Sequence, residues 1–133
     1  VVKAARYGMD IGPFSSASDR GWDAILSNIE TVVFDESFAG YTDLTSTRYW
    51  FNDCSALTTI TDITNLNTAK VTDMSAMFEN CQSRRSLNLS SFNTEKVQTM
   101  NHMFCYCISL KTIYVSSKWN TDNVEQSSDM FSG

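Results

Sequence analysis

An α/β solenoid of about four stacked units is the architecture this sequence predicts, and three spaced features predict it. Phenylalanine follows an aromatic residue or Met at Phe51, Phe78, Phe104 and Phe131, in steps of 27, 26 and 27 residues. A cysteine stands three residues after each of the first three, at Cys54, Cys81 and Cys107. Asn-Thr pairs precede the last three as Asn67-Thr68, Asn93-Thr94 and Asn120-Thr121. Such a unit cannot bury its apolar face alone, so the units are expected to stack around a shared core.

Taken in order, residues 1–28 do not match the repeat and are expected to form an N-terminal cap with a short helix. Trp22, Ile25, Leu26 and Ile29 have helical spacing there, with Ser18 or Asp19 placed to cap it. The solenoid is expected over residues 29–133, truncated at its C-terminal end, with more repeat or a second cap following in a longer parent. Each unit should open with a short strand, at Ile29-x-x-Val32-x-Phe34, Leu57-x-x-Ile60-x-Asp62, Arg84-x-x-Leu87-x-Leu89 and Leu110-x-x-Ile113-x-Val115. This is leucine-rich-repeat-like spacing, broken by Asp62 and Arg84; Ile63 beside Asp62 suggests a bulge or shifted turn. Each unit should close with a helix of about two to three turns on the opposite side. Val71, Met74, Phe78 and Cys81 mark one face of such a helix, and Val97, Met100, Phe104 and Cys107 mark the next.

Composition narrows the function classes. Lys plus Arg is 10 and Asp plus Glu is 15, a formal charge of -5. That balance gives no electrostatic reason to expect nucleic acid or an anionic membrane as partner. No run of 18 apolar residues exists, so no inserted helix is expected. Ser, Thr and Asn number 18, 14 and 10 and supply most of the polar surface.

The segment Leu66-Asn67-Thr68-Ala69-Lys70-Val71-Thr72-Asp73-Met74-Ser75-Ala76-Met77-Phe78-Glu79-Asn80-Cys81 resembles the BspA-like leucine-rich repeats of bacterial surface proteins. Leu87-Asn88-Leu89-Ser90-Ser91-Phe92-Asn93-Thr94-Glu95-Lys96-Val97 resembles the same repeat. Departures are Arg84-Arg85, Gly40-Tyr41 in place of Asn-Thr, and Ser127 in place of Met. The resemblance implies export to the bacterial cell surface as part of a larger protein. It also implies adhesion to host or bacterial surface proteins or glycans in some members.

The expected function is therefore a non-catalytic cell-surface recognition or adhesion module. Its expected binding residues, on the exposed strand face, are Arg85, Asn88, Lys111 and Tyr114. The alternative is a structural spacer of a surface protein with no specific ligand. Phe51, Phe78, Phe104, Phe131, Val71, Val97, Cys54, Cys81 and Cys107 are expected in the core. Asn67, Asn93 and Asn120 are expected to form a structural ladder, bonding to turn backbone and to one another. A cysteine row about 5 Å apart per rung does not converge as a zinc site requires, so neither metal nor cofactor is expected. No nucleophile-elbow, P-loop or zincin pattern occurs, and His102 has no nucleophile beside it in sequence, so no enzyme is expected. The domain is expected to be monomeric.

Overall fold

The structure, a computed structural model, describes residues 11–133. The first ten residues of the expected cap therefore lie outside the described residues. Four stretches extend as three-residue strands, three of them rich in β-branched side chains: β1 Thr31–Val33, β2 Thr59–Thr61 and β4 Thr112–Tyr114, with β3 Ser86–Asn88 built of Ser, Leu and Asn. β1 pairs in parallel with β2 through Thr31–Thr59, Val32–Ile60 and Val33–Thr61. β3 pairs in parallel with β4 through Ser86–Thr112, Leu87–Ile113 and Asn88–Tyr114. The two pairs are separate sheets.

Arg84 stands between the pairs. It occupies the place of Leu57 in the preceding row, and its guanidinium donates to the carbonyl oxygens of Thr58 and Ser86. In the other row, the amide of Lys111 donates to the Arg85 carbonyl at 2.9 Å. A side chain thus takes up the Thr58 carbonyl at the join between β2 and β3. The guanidinium Nε is buried without a partner, and burial pushes the Arg84 pKa down.

The expected helices are absent among the described residues. Their place is taken by ribbons of tight turns in which alternate amides go to different partners. Within a row, Trp50, Met77 and Met103 donate to the carbonyls of Thr47, Met74 and Met100. The next amides, of Phe51, Phe78 and Phe104, leave the row and donate to Met77, Met103 and Met130. An α-helix sends every interior amide to the residue four before it, so a chain bonded laterally at every second residue cannot be helical. Tyr49, Ala76, His102 and Asp129 take positive φ of 64°, 54°, 59° and 53°, which breaks any helical run. The apolar i, i+3, i+7 spacing is real but belongs to these turns. The cap follows the same correction, with short 3-10 segments at Ala17–Asp19 and Asp23–Asn28. Ser16 caps the first.

Two separate strand pairs joined by 3-10 and other short turns replace the predicted leucine-rich-repeat-like solenoid. Among the described residues there is neither a helical side nor a continuous curved sheet. At the irregular unit, Asp62 takes φ 58° and the chain turns through the 3-10 segment Ile63–Asn65.

The core runs between the strand pairs and the turn ribbons. Phe34, Phe51, Phe78, Phe104 and Phe131 follow one another with ring centroids 6.1, 5.6, 6.0 and 5.3 Å apart. Phe78 is fully buried with a ring on either side, whereas Phe131 is 65% exposed. Val71, Val97, Cys54 and Cys81 are buried and Cys107 half-buried. All four cysteines are free thiols. The Cys81 and Cys107 thiols donate to the carbonyls of Phe51 and Phe78 at 3.2 and 3.0 Å.

At the cap, the buried Arg20 donates to the carbonyls of Tyr49 and Asn52, both at 2.7 Å. Trp22 Nε1 donates to the Trp50 carbonyl at 3.0 Å.

Candidate functional site

The turn ribbons place side chains of equivalent residues side by side. Isolated parallel bridges join Ser46 to Asp73, Asp73 to Thr99, and Thr99 to Gln126, giving a polar line across four rows. Beside it runs the line of positive-φ residues, Tyr49, Ala76, His102 and Asp129. Large side chains at Tyr49 and His102 flank a single methyl group at Ala76. A groove of about 420 Å³ runs along this surface, within the size range of small-ligand sites, and the Ala76 methyl beneath it is buried. Its walls carry Arg48, Tyr49, Asp73, Glu79, Asn101, His102 and Gln126.

Most of these groups are held in place. Arg48 donates to Tyr49 Oη at 3.0 Å, lies over the Tyr49 ring at 4.7 Å, and stands 3.8 Å from Asp73. Asp73 accepts from the Ser75 amide at 2.8 Å, and Ser75 Oγ lies 2.9 Å from Thr99 Oγ1. Asn101 donates to Gln126 at 3.1 Å. Glu79 accepts from Asn52 at 3.1 Å. Burial pushes the Glu79 pKa up; nearby His102 opposes that shift and Asp53 adds to it. His102 Nε2 lies 3.7 Å from Asp129. One group is unused: Arg48 Nε is buried with no partner.

A larger, more apolar crevice of about 610 Å³ lies between the Asp23–Asn28 turn and β1, against Trp22, Ile25, Ile29 and Phe51. It lacks the converging charged and amide groups of the turn-side groove, so it offers less to orient a ligand.

Arg85, Asn88, Lys111 and Tyr114 do come together, on β3 and β4. Asn88 pairs directly with Tyr114, and the Lys111 amide binds the Arg85 carbonyl. All four are exposed. They occupy one isolated three-residue strand pair, and Asn88 Oδ1 is already bonded to the amide and hydroxyl of Ser90. Among the described residues no extended curved strand face exists to carry recognition, which overturns the expected strand-face adhesion module. The spacer alternative rested on the same solenoid and is corrected with it.

The expected asparagine ladder is divided between two residue types. Asn67, Asn93 and Asn120 accept from amides two residues on, those of Ala69, Glu95 and Asp122. The bonds between rows are made instead by the neighbouring threonines. Thr68 Oγ1 bridges the amide and carbonyl of Asn93, and Thr94 Oγ1 those of Asn120.

Sequence reasoning missed Arg48, Tyr49, Asp73 and Glu79. A signal was present, since Ser46, Asp73, Thr99 and Gln126 are polar at the repeat period. The helical reading followed only the apolar spacing and passed over it. No grouping of His, Cys, Asp and Glu suited to a metal ion occurs among the described residues.

The family model described as "Mycoplasma protein of unknown function, DUF285" matches residues 42–133, more than half of the chain. The chain belongs to that family, which is bacterial. This finding replaces the BspA-like identification suggested by the Asn-Thr phrase. Searches of curated proteins and of solved structures find no match. Among the described residues, no helix is long and apolar enough to cross a membrane.

Proposed function

We propose that the domain binds a small polar ligand, without catalysis, in the turn-side groove. The observation that carries this reading is the convergence of Arg48, Asp73, Glu79, Asn101, His102 and Gln126 on one groove of about 420 Å³. The non-catalytic part is supported by the thiols. Cys105, within electrostatic reach of Glu79, has its pKa raised by burial first, so thiolate is scarce at neutral pH. An extracellular position is part of the same proposal, supported by a surface built more of Ser, Thr and Asn than of charge. Protease treatment of intact cells tests it: an extracellular domain is cleaved, and a protected one refutes the placement.

The binding reading is tested by titrating isotopically labelled protein with a panel of small neutral and anionic polar compounds. Amide shifts confined to Arg48, Tyr49, Ala76 and His102, and abolished by Arg48→Met, are the expected result. Shifts that survive Arg48→Met, or that centre on Arg85 and Tyr114, would overturn it.

A further inference from the structure

A second run of polar side chains crosses the rows at the corner that follows each strand. Two adjoining hollows of about 320 Å³ each share Asn93 and Lys118, and so form one open trough. Asn67 lines one end, Asn93 the middle and Asn120 the other end, one asparagine from each of three successive rows. Their Oδ1 atoms accept from the amides of Ala69, Glu95 and Asp122, at 3.0, 2.9 and 3.3 Å. A backbone amide needs an acceptor, so these bonds fix which end of each side-chain amide is oxygen. The Nδ2 groups are what remains. None of the three has a protein partner, and none is among the buried unpartnered atoms, so each is open to solvent.

The protein also sets the interval between them. Thr68 Oγ1 ties the row of Asn67 to the backbone of Asn93, and Thr94 Oγ1 ties that row to the backbone of Asn120. The trough therefore holds one oriented NH2 group per row, with little side-chain freedom left to lose on binding. Such an array suits a linear ligand that offers an acceptor at every row. An extended peptide presents carbonyls on one side about 6.8 Å apart, against about 4.8 Å for bonded rows, and falls out of step. A polyanion would meet the exposed carboxylates of Glu95 and Asp122, with Lys118 alone to offset them. A pyranose advances by close to one row in an extended chain, and its hydroxyls accept as well as donate.

We infer that this trough binds a neutral linear polysaccharide, laid across the rows with one sugar to each asparagine. The site shares no residue with the turn-side groove and stands or falls separately from it.

The probes are the mono- to pentasaccharides of the cellulose and chitin series, with heparin and an alternating Thr-Val hexapeptide as the rival classes. Each is titrated into labelled protein and followed by side-chain and backbone amide shifts. For at least one sugar series, saturable shifts at Asn67, Asn93 and Asn120 are expected, with affinity that climbs from one sugar to three and then levels off. Asn93→Asp keeps the oxygen that the Glu95 amide needs and removes only the donors, so an asparagine with a structural role alone would tolerate it. Sugar binding should instead weaken about tenfold, the worth of one lost bond, in a variant that still melts as a folded domain. Affinity that ignores chain length, or is unchanged in Asn93→Asp, overturns the inference. So do sugar shifts centred on Arg48 and Asp73, failure of both sugar series, or heparin or the hexapeptide binding the trough in their place. Should Asn93→Asp not fold, Asn67→Asp carries the same expectation.

Discussion

The indole nitrogen of Trp22 donates to the carbonyl of Trp50 at 3.0 Å, where one row further on the Phe51 amide donates to the Met77 carbonyl at 2.9 Å. A side chain from the cap has taken over a bond that the rest of the fold makes with main chain. Arg20 does the same for Asn52, whose counterpart Glu79 accepts from the Asp53 amide. Carbonyls at this end of the core would otherwise be buried without donors.

Trp22→Phe keeps a ring against Phe14, 5.8 Å away, and removes only the donor. Stability should fall by about 1–3 kcal/mol, the cost of an unsatisfied buried carbonyl. Urea denaturation measures it, and a loss within error of zero would show that water replaces the indole.

Phe78→Ala should cost about 3–5 kcal/mol, because the ring is enclosed by Phe51 and Phe104 and leaves a cavity. Phe131→Ala should cost much less, since that ring is 65% exposed. Equal losses in parallel denaturation curves would contradict the burial difference.

Arg84→Leu removes a buried, half-satisfied guanidinium from the join between the strand pairs. The variant should gain about 1 kcal/mol, less any loss of its bonds to Thr58 and Ser86. It should also slow amide exchange across Arg85–Asn88 as main chain replaces side chain. Unchanged or faster exchange there would show that Arg84 holds the two sheets together.

Burial pushes the thiols of Cys54 and Cys107 up to about 11. In the unfolded chain they ionise near their ordinary value of 9.0, while in the fold they stay neutral. Their contribution is fully present below about pH 9 and is lost as pH rises through 9 to 11, where only the unfolded form ionises. Denaturation midpoints should fall across that window, and Cys54→Ala with Cys107→Ala should flatten the fall. Native protein should also resist alkylation at pH 8 until denatured.

The positions of the short strands and the aromatic core were legible in the sequence, because the repeated apolar spacing and the Phe period report burial. The partition of Thr31–Val33 through Thr112–Tyr114 into two pairs was not. Arg84 was visible as an exception, but its reach to Thr58 is a tertiary fact. The helices failed for a more general reason. Apolar spacing reports which side chains are buried together and not where amides go, and Tyr49 and Ala76 are not residue types that announce positive φ. The groove depended on that backbone and was illegible with it.

Because the rows are held to one another largely by main-chain amides and carbonyls, the frame asks little of the side chains along the line from Tyr49 to Asp129. Tyr, Ala, His and Asp already occupy equivalent places on it with nearly the same φ. Substitution there rewrites what the groove touches while the hydrogen bonds that define it stay in place.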